Sequence, residues 1–417
     1  MEKGDTTDIA IIGAGPAGAA AAAWLARQGH DVRVLERQHF PRFSIGESLL
    51  PQCMEHLAAC GLLEAARAGD FQPKNGAAFC WKGAEAAIDF RDKFSPGPGT
   101  TWQVERADFD WRLIEGARQA GARVEYGVKV DGFAADVLHP RLTLSDERGV
   151  RRELRARFVL DASGYGRVLA RLTGLDRPST LADRSVLFTH VEDRIRCPDH
   201  DREKILIGLH PRHPQVWYWL IPFRGGRASV GVVADPAILE AAGADDAERF
   251  WTLLGEEPRF AELLDRATAT REVSRLTGYA ADIERLHGPG FAVLGNAGEF
   301  LDPVFSSGVT IALDSAVRAA PLVERQLAGG TVDWAADFET PLRRGVATFR
   351  DFVEAWYDGR LPRIIFHDRQ HPRLRGMISS VLAGYAWDDD NPFVVASRRR
   401  LDRLAETCAN DAMAEPT

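Results

Sequence analysis

The segment Gly13-Ala-Gly15-Pro-Ala-Gly18 constrains this chain most, because it joins a strand-length apolar run (8–12) to an alanine-rich, helix-length run (17–28). A second alternating run (31–36) follows and ends on Glu36. Strand, glycine turn, helix and strand within about 30 residues make a βαβ unit, which requires a parallel sheet. Gly13 permits the tight turn, and Gly15 lets backbone N–H groups, that of Ala17 included, approach a pyrophosphate. Gly18 allows helix and strand to pack closely, and the helix N-terminus adds partial positive charge. Glu36, with Arg37 beside it, stands where a carboxylate accepts hydrogen bonds from a ribose. The unit therefore binds a dinucleotide, and spacing alone does not separate NAD from FAD.

The 417 residues allow two or three structural units. With 45% hydrophobic and 27% charged residues, the chain has the composition of a soluble globular protein. A net charge of -8 gives its surface no pull toward nucleic acid or anionic lipid. The apolar run 9–26 follows Glu2, Asp5 and Asp8 and is broken by Gly13, Gly15, Pro16 and Gly18. It reads as strand, turn and helix, not as a signal peptide or membrane span. Cys53, Cys60, Cys80, Cys197 and Cys408 include no CxxC pair, so neither a disulfide framework nor a zinc site is expected, and a cytoplasmic setting fits. His367 and His371 lie four apart, but Pro362 and Pro372 interrupt a regular helix there and no third ligand is evident, so a metal site is rejected.

Beyond the βαβ unit, residues 71–150 and 175–280 mix strand-like runs with turn signals and read as one inserted antiparallel sheet. Residues 158–166 return the chain to the parallel sheet. A buried strand (288–294) precedes a long helix (308–327), and from Trp334 onward the pattern is helical.

Four further elements resemble the FAD-dependent hydroxylases, prenyl reductases and flavin-dependent halogenases. They are Arg42 with Gly46-Glu47-Ser48; Glu105-Arg106-Ala-Asp108-Phe-Asp110; Asp161-Ala-Ser163-Gly164; and Gly295-Asn296 through Asp302-Pro303. Asn296 stands where that family usually has aspartate; an amide still donates, without the charge. The resemblance implies FAD, with cofactor contacts at Arg42, Ser48, Arg106, Asp161, Asn296, Asp302, Gly308 and Val309. It implies an α/β chain in which a discontinuous Rossmann-like FAD-binding domain (1–70, 151–174, 281–330) carries an antiparallel sheet substrate domain (71–150, 175–280) and a helical C-terminal region (331–417) that caps the substrate cavity. No second GxGxxG opens another βαβ unit, so reduced flavin is expected from a separate flavin reductase or from transiently bound NAD(P)H.

Val216-Trp217-Tyr218-Trp219-Leu220-Ile221-Pro222 matches the WxWxIP pattern of flavin-dependent halogenases. In that family the segment separates flavin from substrate, so that halide meets the C4a-hydroperoxide first. The resemblance makes Lys74 the lysine that handles hypohalous acid, with Lys82 a weaker candidate, and places Ser306 in the loop that helps hold the halide. Tryptophan halogenases carry glutamate where this chain has Phe305, and they are longer; both differences point away from free tryptophan, toward a phenol, pyrrole or other electron-rich aromatic, alone or on a carrier. An aromatic strand is also ordinary in a half-buried sheet. Hydroxylation of an aromatic ring, free or bound to a carrier or protein, therefore stays open beside halogenation, as does a prenyl-type reductase.

Overall fold

The computed structural model describes residues 5–367 and 371–414, with side chains to residue 411. The βαβ unit consists of β1 (Asp5–Ile12), α1 (Pro16–Arg27) and β2 (Val32–Glu36). Ile9–Ile12 are buried because β1 lies inside a parallel sheet, between β2 and the Arg151–Asp161 strand. Parallel strands covered on both faces favour such continuous apolar runs over alternation. The alanines of α1 are almost all buried, since this helix packs between the Ser307–Leu327 and Arg106–Gln119 helices as well as on the sheet. At Gly18 the approach is so close that a Cβ would lie 2.0 Å from the Gly13 carbonyl oxygen.

The parallel sheet has eight strands. Phe291–Val293, Arg151–Asp161, β1, β2 and Arg123–Tyr126 run parallel in that order, His287–Gly288 pairs antiparallel with Phe291–Val293 at one edge, and Lys129–Ala134 and Arg141–Ser145 add an antiparallel flap. This corrects the division expected from sequence, which assigns all of 71–150 to the second sheet. The chain leaves that region after Gln103: the Arg106–Gln119 helix packs on α1 and delivers Arg123–Tyr126 beside β2. Alternation reports that a strand has one buried face and says nothing about which sheet it joins.

The second sheet also has eight strands, with Trp217–Phe223 and Arg227–Ala234 at its centre. It is antiparallel except where Lys204–Leu209 runs parallel to Gly76–Trp81. The Trp217–Phe223 strand shows how the sequence dictates its own faces. Trp217, Trp219 and Ile221 turn toward the main core; Tyr218 and Leu220 turn to a second core around Phe260, where the Tyr218 hydroxyl donates to the Leu253 carbonyl at 2.9 Å. Pro222 is tolerated because pairing with Lys204–Leu209 stops at Leu220. From Thr340 the chain forms helices that cover one flank, and among the described residues no helix is long and apolar enough to cross a membrane.

Candidate active site

A cleft of about 370 Å³ opens where β1, β2 and the Arg151–Asp161 strand end, the place where parallel sheets bind ligands. A second cavity of about 330 Å³ shares Gly13, Glu36, Arg37, Ser163 and Gly166 with it, so the two extend one groove along the strand ends. Gly13, Gly15 and Ala17 line the groove, and Gly13 holds φ +97. Gly18 does not line it; its role is the helix packing described above. The Glu36 carboxylate accepts from Ala14 N and Gln38 N, each at 2.9 Å. Those bonds fix its direction and leave lone pairs for a hydroxyl donor.

Arg106 and Arg42 form the cationic wall, and both are organised by Asp110. Arg106 grips this fully buried carboxylate through Nε (2.7 Å) and Nη2 (2.9 Å), and Arg42 Nη1 reaches it at 3.2 Å. The remaining Arg106 nitrogen donates to the Ile45 and Gly46 carbonyls, and Arg42 lies over the Phe40 ring. One carboxylate between two guanidiniums leaves net positive charge at the cleft, as an anionic ligand requires.

The opposite wall is aromatic. Trp217, Trp219 and Ile221 line the cleft as the alternate residues of one strand. Trp219 donates to Ser229 Oγ at 3.1 Å and lies flat on Gly231, where a Cβ would stand 2.2 Å from its ring. Trp217 Nε1 donates to the Tyr357 hydroxyl at 2.9 Å, tying the wall to the Thr340–Tyr357 helix.

Lys74 does not line the cleft; it stands directly behind it. Its ammonium is buried, donating to Ser48 Oγ at 2.7 Å and to the Leu49 carbonyl at 2.8 Å, and Ser48 is on the cleft wall. Burial brings this lysine down to about 7, while the nearby Cys53 acts in the opposite sense. Two acceptors match the two N–H bonds of a neutral amine and leave its lone pair free. Lys82, by contrast, is exposed in the turn between Gly76–Trp81 and Ala84–Asp89 and takes no part in the site.

Ser306, Gly308 and Val309 line the cleft at the start of the Ser307–Leu327 helix, with Ser306 in the left-handed region at φ +57. Asn296 faces them, and its buried Oδ1 has no hydrogen-bond partner among the described residues. Two residues expected to contact the cofactor are not on the cleft wall. Asp161 is fully buried and accepts from Ser163 N (2.9 Å) and Leu169 N (2.6 Å), so it shapes the turn whose Ala162, Ser163 and Gly164 reach the cleft. Asp302 also lies behind the wall, accepting from Val304 N at 3.0 Å, the Tyr357 hydroxyl at 2.8 Å and the Tyr279 hydroxyl at 3.3 Å. Motif spacing finds both aspartates but cannot separate a ligand contact from a turn cap.

Sequence reading missed several residues. Asp110 was visible as the i+4 partner of Arg106 on one helix face. Glu47 is buried on the cleft wall, with Oε1 2.8 Å from His190 Nε2 and Oε2 without a partner among the described residues. His190 joins it from 143 residues away in sequence, and Tyr357 joins Trp217 across 140; no local signal marks either pairing. Among the described residues no cluster of His, Cys, Asp and Glu could hold a metal, and all five cysteines are free.

The sequence family described as "FAD binding domain" matches residues 6–252. A tryptophan 2-halogenase of Chondromyces crocatus is 32% identical over 81% of this chain; the chain spans 65% of that relative's length. A 1H-pyrrole-2-carbonyl peptidyl-carrier protein chlorinase of Pseudomonas fluorescens is 27% identical over 96% of this chain and 94% of its own. The crystal structure of a flavoprotein/dehydrogenase from Cytophaga hutchinsonii is 42% identical, covering 98% of this chain and 100% of that one with a TM-score of 0.95. The cofactor is FAD, and the cleft suits a dinucleotide: a glycine turn, two arginines, the Glu36 carboxylate, and buried polar atoms on Asn296 and Glu47 that lack partners among the described residues. The chain belongs to the FAD binding domain family, and the relatives it resembles include halogenases.

Proposed function

We propose that the protein halogenates an electron-rich aromatic ring, a phenol, pyrrole or indole, free or presented on a carrier. The observation that carries this reading is Lys74, a buried amine one hydrogen bond behind the flavin cleft and brought down to about 7. Ring hydroxylation beside the flavin has no use for such a lysine. FAD held in the cleft and reduced by a separate reductase would supply, with dioxygen, the oxidant that converts halide to hypohalous acid.

The chain's own residues do the rest. The 13–18 turn, Arg42 and Arg106 hold the pyrophosphate side of the cofactor, Glu36 the ribose, with Arg37 beside it. Ser48, Asn296 and Val309 bear on the flavin end. Ser306 and the amides opening the following helix offer halide a partial positive charge. Trp217 and Trp219 fill the wall and keep the aromatic substrate from the flavin. Lys74, as a neutral amine, takes the electrophilic halogen on its lone pair, or as an ammonium donates a hydrogen bond that polarises hypohalous acid. Ser48 and Leu49 orient its nitrogen in either state.

The test is turnover of an electron-rich aromatic panel with a flavin reductase and bromide, read by product mass. Added bromine supports halogenation. Added oxygen in halide-free buffer, at a rate bromide leaves unchanged, decides for ring hydroxylation; anaerobic turnover with neither decides for a reductase.

A further inference from the structure

The C-terminal helical region does more than cover the molecule. The Thr340–Tyr357 helix ends with Trp356 buried in the core and Tyr357 half-buried against it. Trp356 packs edge-on against Phe305, and Tyr357 accepts from Trp217 Nε1 while donating to Asp302 Oδ2 at 2.8 Å. Asp302 in turn accepts from Val304 N and so holds the turn that leads to Ser306. A continuous hydrogen-bonded chain thus runs from one aromatic wall of the flavin cleft, through the C-terminal helix, to the loop on the cleft's other side.

The groups around Asp302 are few and identifiable. Tyr357 and Tyr279 donate to it, and Arg184, whose guanidinium lies 4.0 Å over the Tyr357 ring, is the nearby cation. We infer that Tyr357 is a positioning residue: with Asp302 it fixes the Trp217 indole in the aromatic wall of the flavin cleft, so that the C-terminal helix sets whether oxidised halide is retained or lost. The inference deepens the halogenase reading and rests on it only for the last clause.

The coupling has a definite hydrogen-bond logic. With Asp302 ionised, the Tyr357 hydroxyl donates to it and its oxygen lone pair receives Trp217 Nε1–H. With Asp302 protonated, the carboxyl can itself donate to the Tyr357 oxygen, the phenol proton must turn elsewhere, and the acceptor offered to Trp217 is weakened. Burial pushes Asp302 up to about 6 against its hydrogen bonds, so this change falls within an accessible pH range.

The experiment uses the full chain loaded with FAD and labelled with 5-fluorotryptophan, the Trp217 fluorine signal being assigned by its absence in Trp217→Phe. In the parent protein the Trp217 signal is expected to move with pH around 6. Tyr357→Phe should displace the signal and abolish its titration; Asp302→Asn, which breaks the chain from its other end, should abolish the titration as well. Hypohalous acid escaping to a solution trap, per halogenated product, should rise roughly threefold or more in Tyr357→Phe, the loss expected for one buried hydrogen bond. A Trp217 signal unmoved by Tyr357→Phe, or a titration that persists in Asp302→Asn, overturns the coupling. If no variant and no parent protein oxidises halide, the halogenase reading fails, and the fluorine signal still decides the coupling.

Discussion

Lys74 Nζ donates to Ser48 Oγ at 2.7 Å, and of this pair Ser48 faces the flavin cleft while Lys74 faces away from it. On the proposed function this bond links the flavin cleft to the lysine behind it. Ser48→Ala should weaken FAD binding only severalfold and lower halogenation at saturating FAD about tenfold, the equivalent of roughly 1.4 kcal/mol of lost orientation. Flavin fluorescence titration and product yield, measured on the same preparation, check it. Equal losses in both would make Ser48 a cofactor contact only.

The depressed lysine has a consequence for stability whose sign is fixed. Lys74 holds about 7 in the folded state and near 10.4 in an unfolded chain, so between those values the unfolded chain binds more protons. Stability therefore rises with pH above 7 by about 1 kcal/mol per pH unit from this group, and its full penalty is present below 7. Lys74→Met should remove that slope, gaining more stability at pH 6 than at pH 9 in urea unfolding.

Asp110 is the organiser of both cleft arginines, and breaking a buried, shared ion pair is costly. Asp110→Asn should destabilise the protein by about 3 kcal/mol and weaken FAD binding tenfold or more. Thermal melts with and without FAD separate the two effects, because the cofactor shift of the melting temperature shrinks only if the arginines lose their cleft geometry.

Trp219 can lie flat only because residue 231 has no side chain. Gly231→Ala drives a methyl into the ring and should displace Trp219 toward the cleft. A fall in FAD affinity with an unchanged parent fold by circular dichroism is expected; unchanged affinity would place Trp219 outside the cofactor's contact surface.

The glycine turn, both strands of the βαβ unit, the long helix after Gly308 and the aromatic strand were all legible, because each is set by local pattern: spacing, caps and alternation. Sheet membership was not. Arg123–Tyr126 alternates like any edge strand, and only the packing of the preceding helix on α1 sends it to β2. The same division runs through the site. Gly13, Gly15, Glu36, Arg106 and Trp217 could be named from motifs, and the groove brings them together. Asp161 and Asp302 sit in motifs too, yet cap turns behind the wall, and Tyr357 and His190 reach the site from distant parts of the chain. Contacts across more than a hundred residues leave no periodicity to read.

On the proposed function, Lys74 joins flavin chemistry to substrate halogenation across Ser48. Lys74→Met tests it most directly, since the substitution keeps the side chain's stem as far as Cε and removes its nitrogen. With reductase, bromide and an accepted aromatic, the account predicts that the variant still consumes reduced flavin and releases hypobromous acid to a trap, while brominated product falls a hundredfold or more, roughly 3 kcal/mol of lost transition-state stabilisation. Full bromination by the Lys74→Met protein would contradict it.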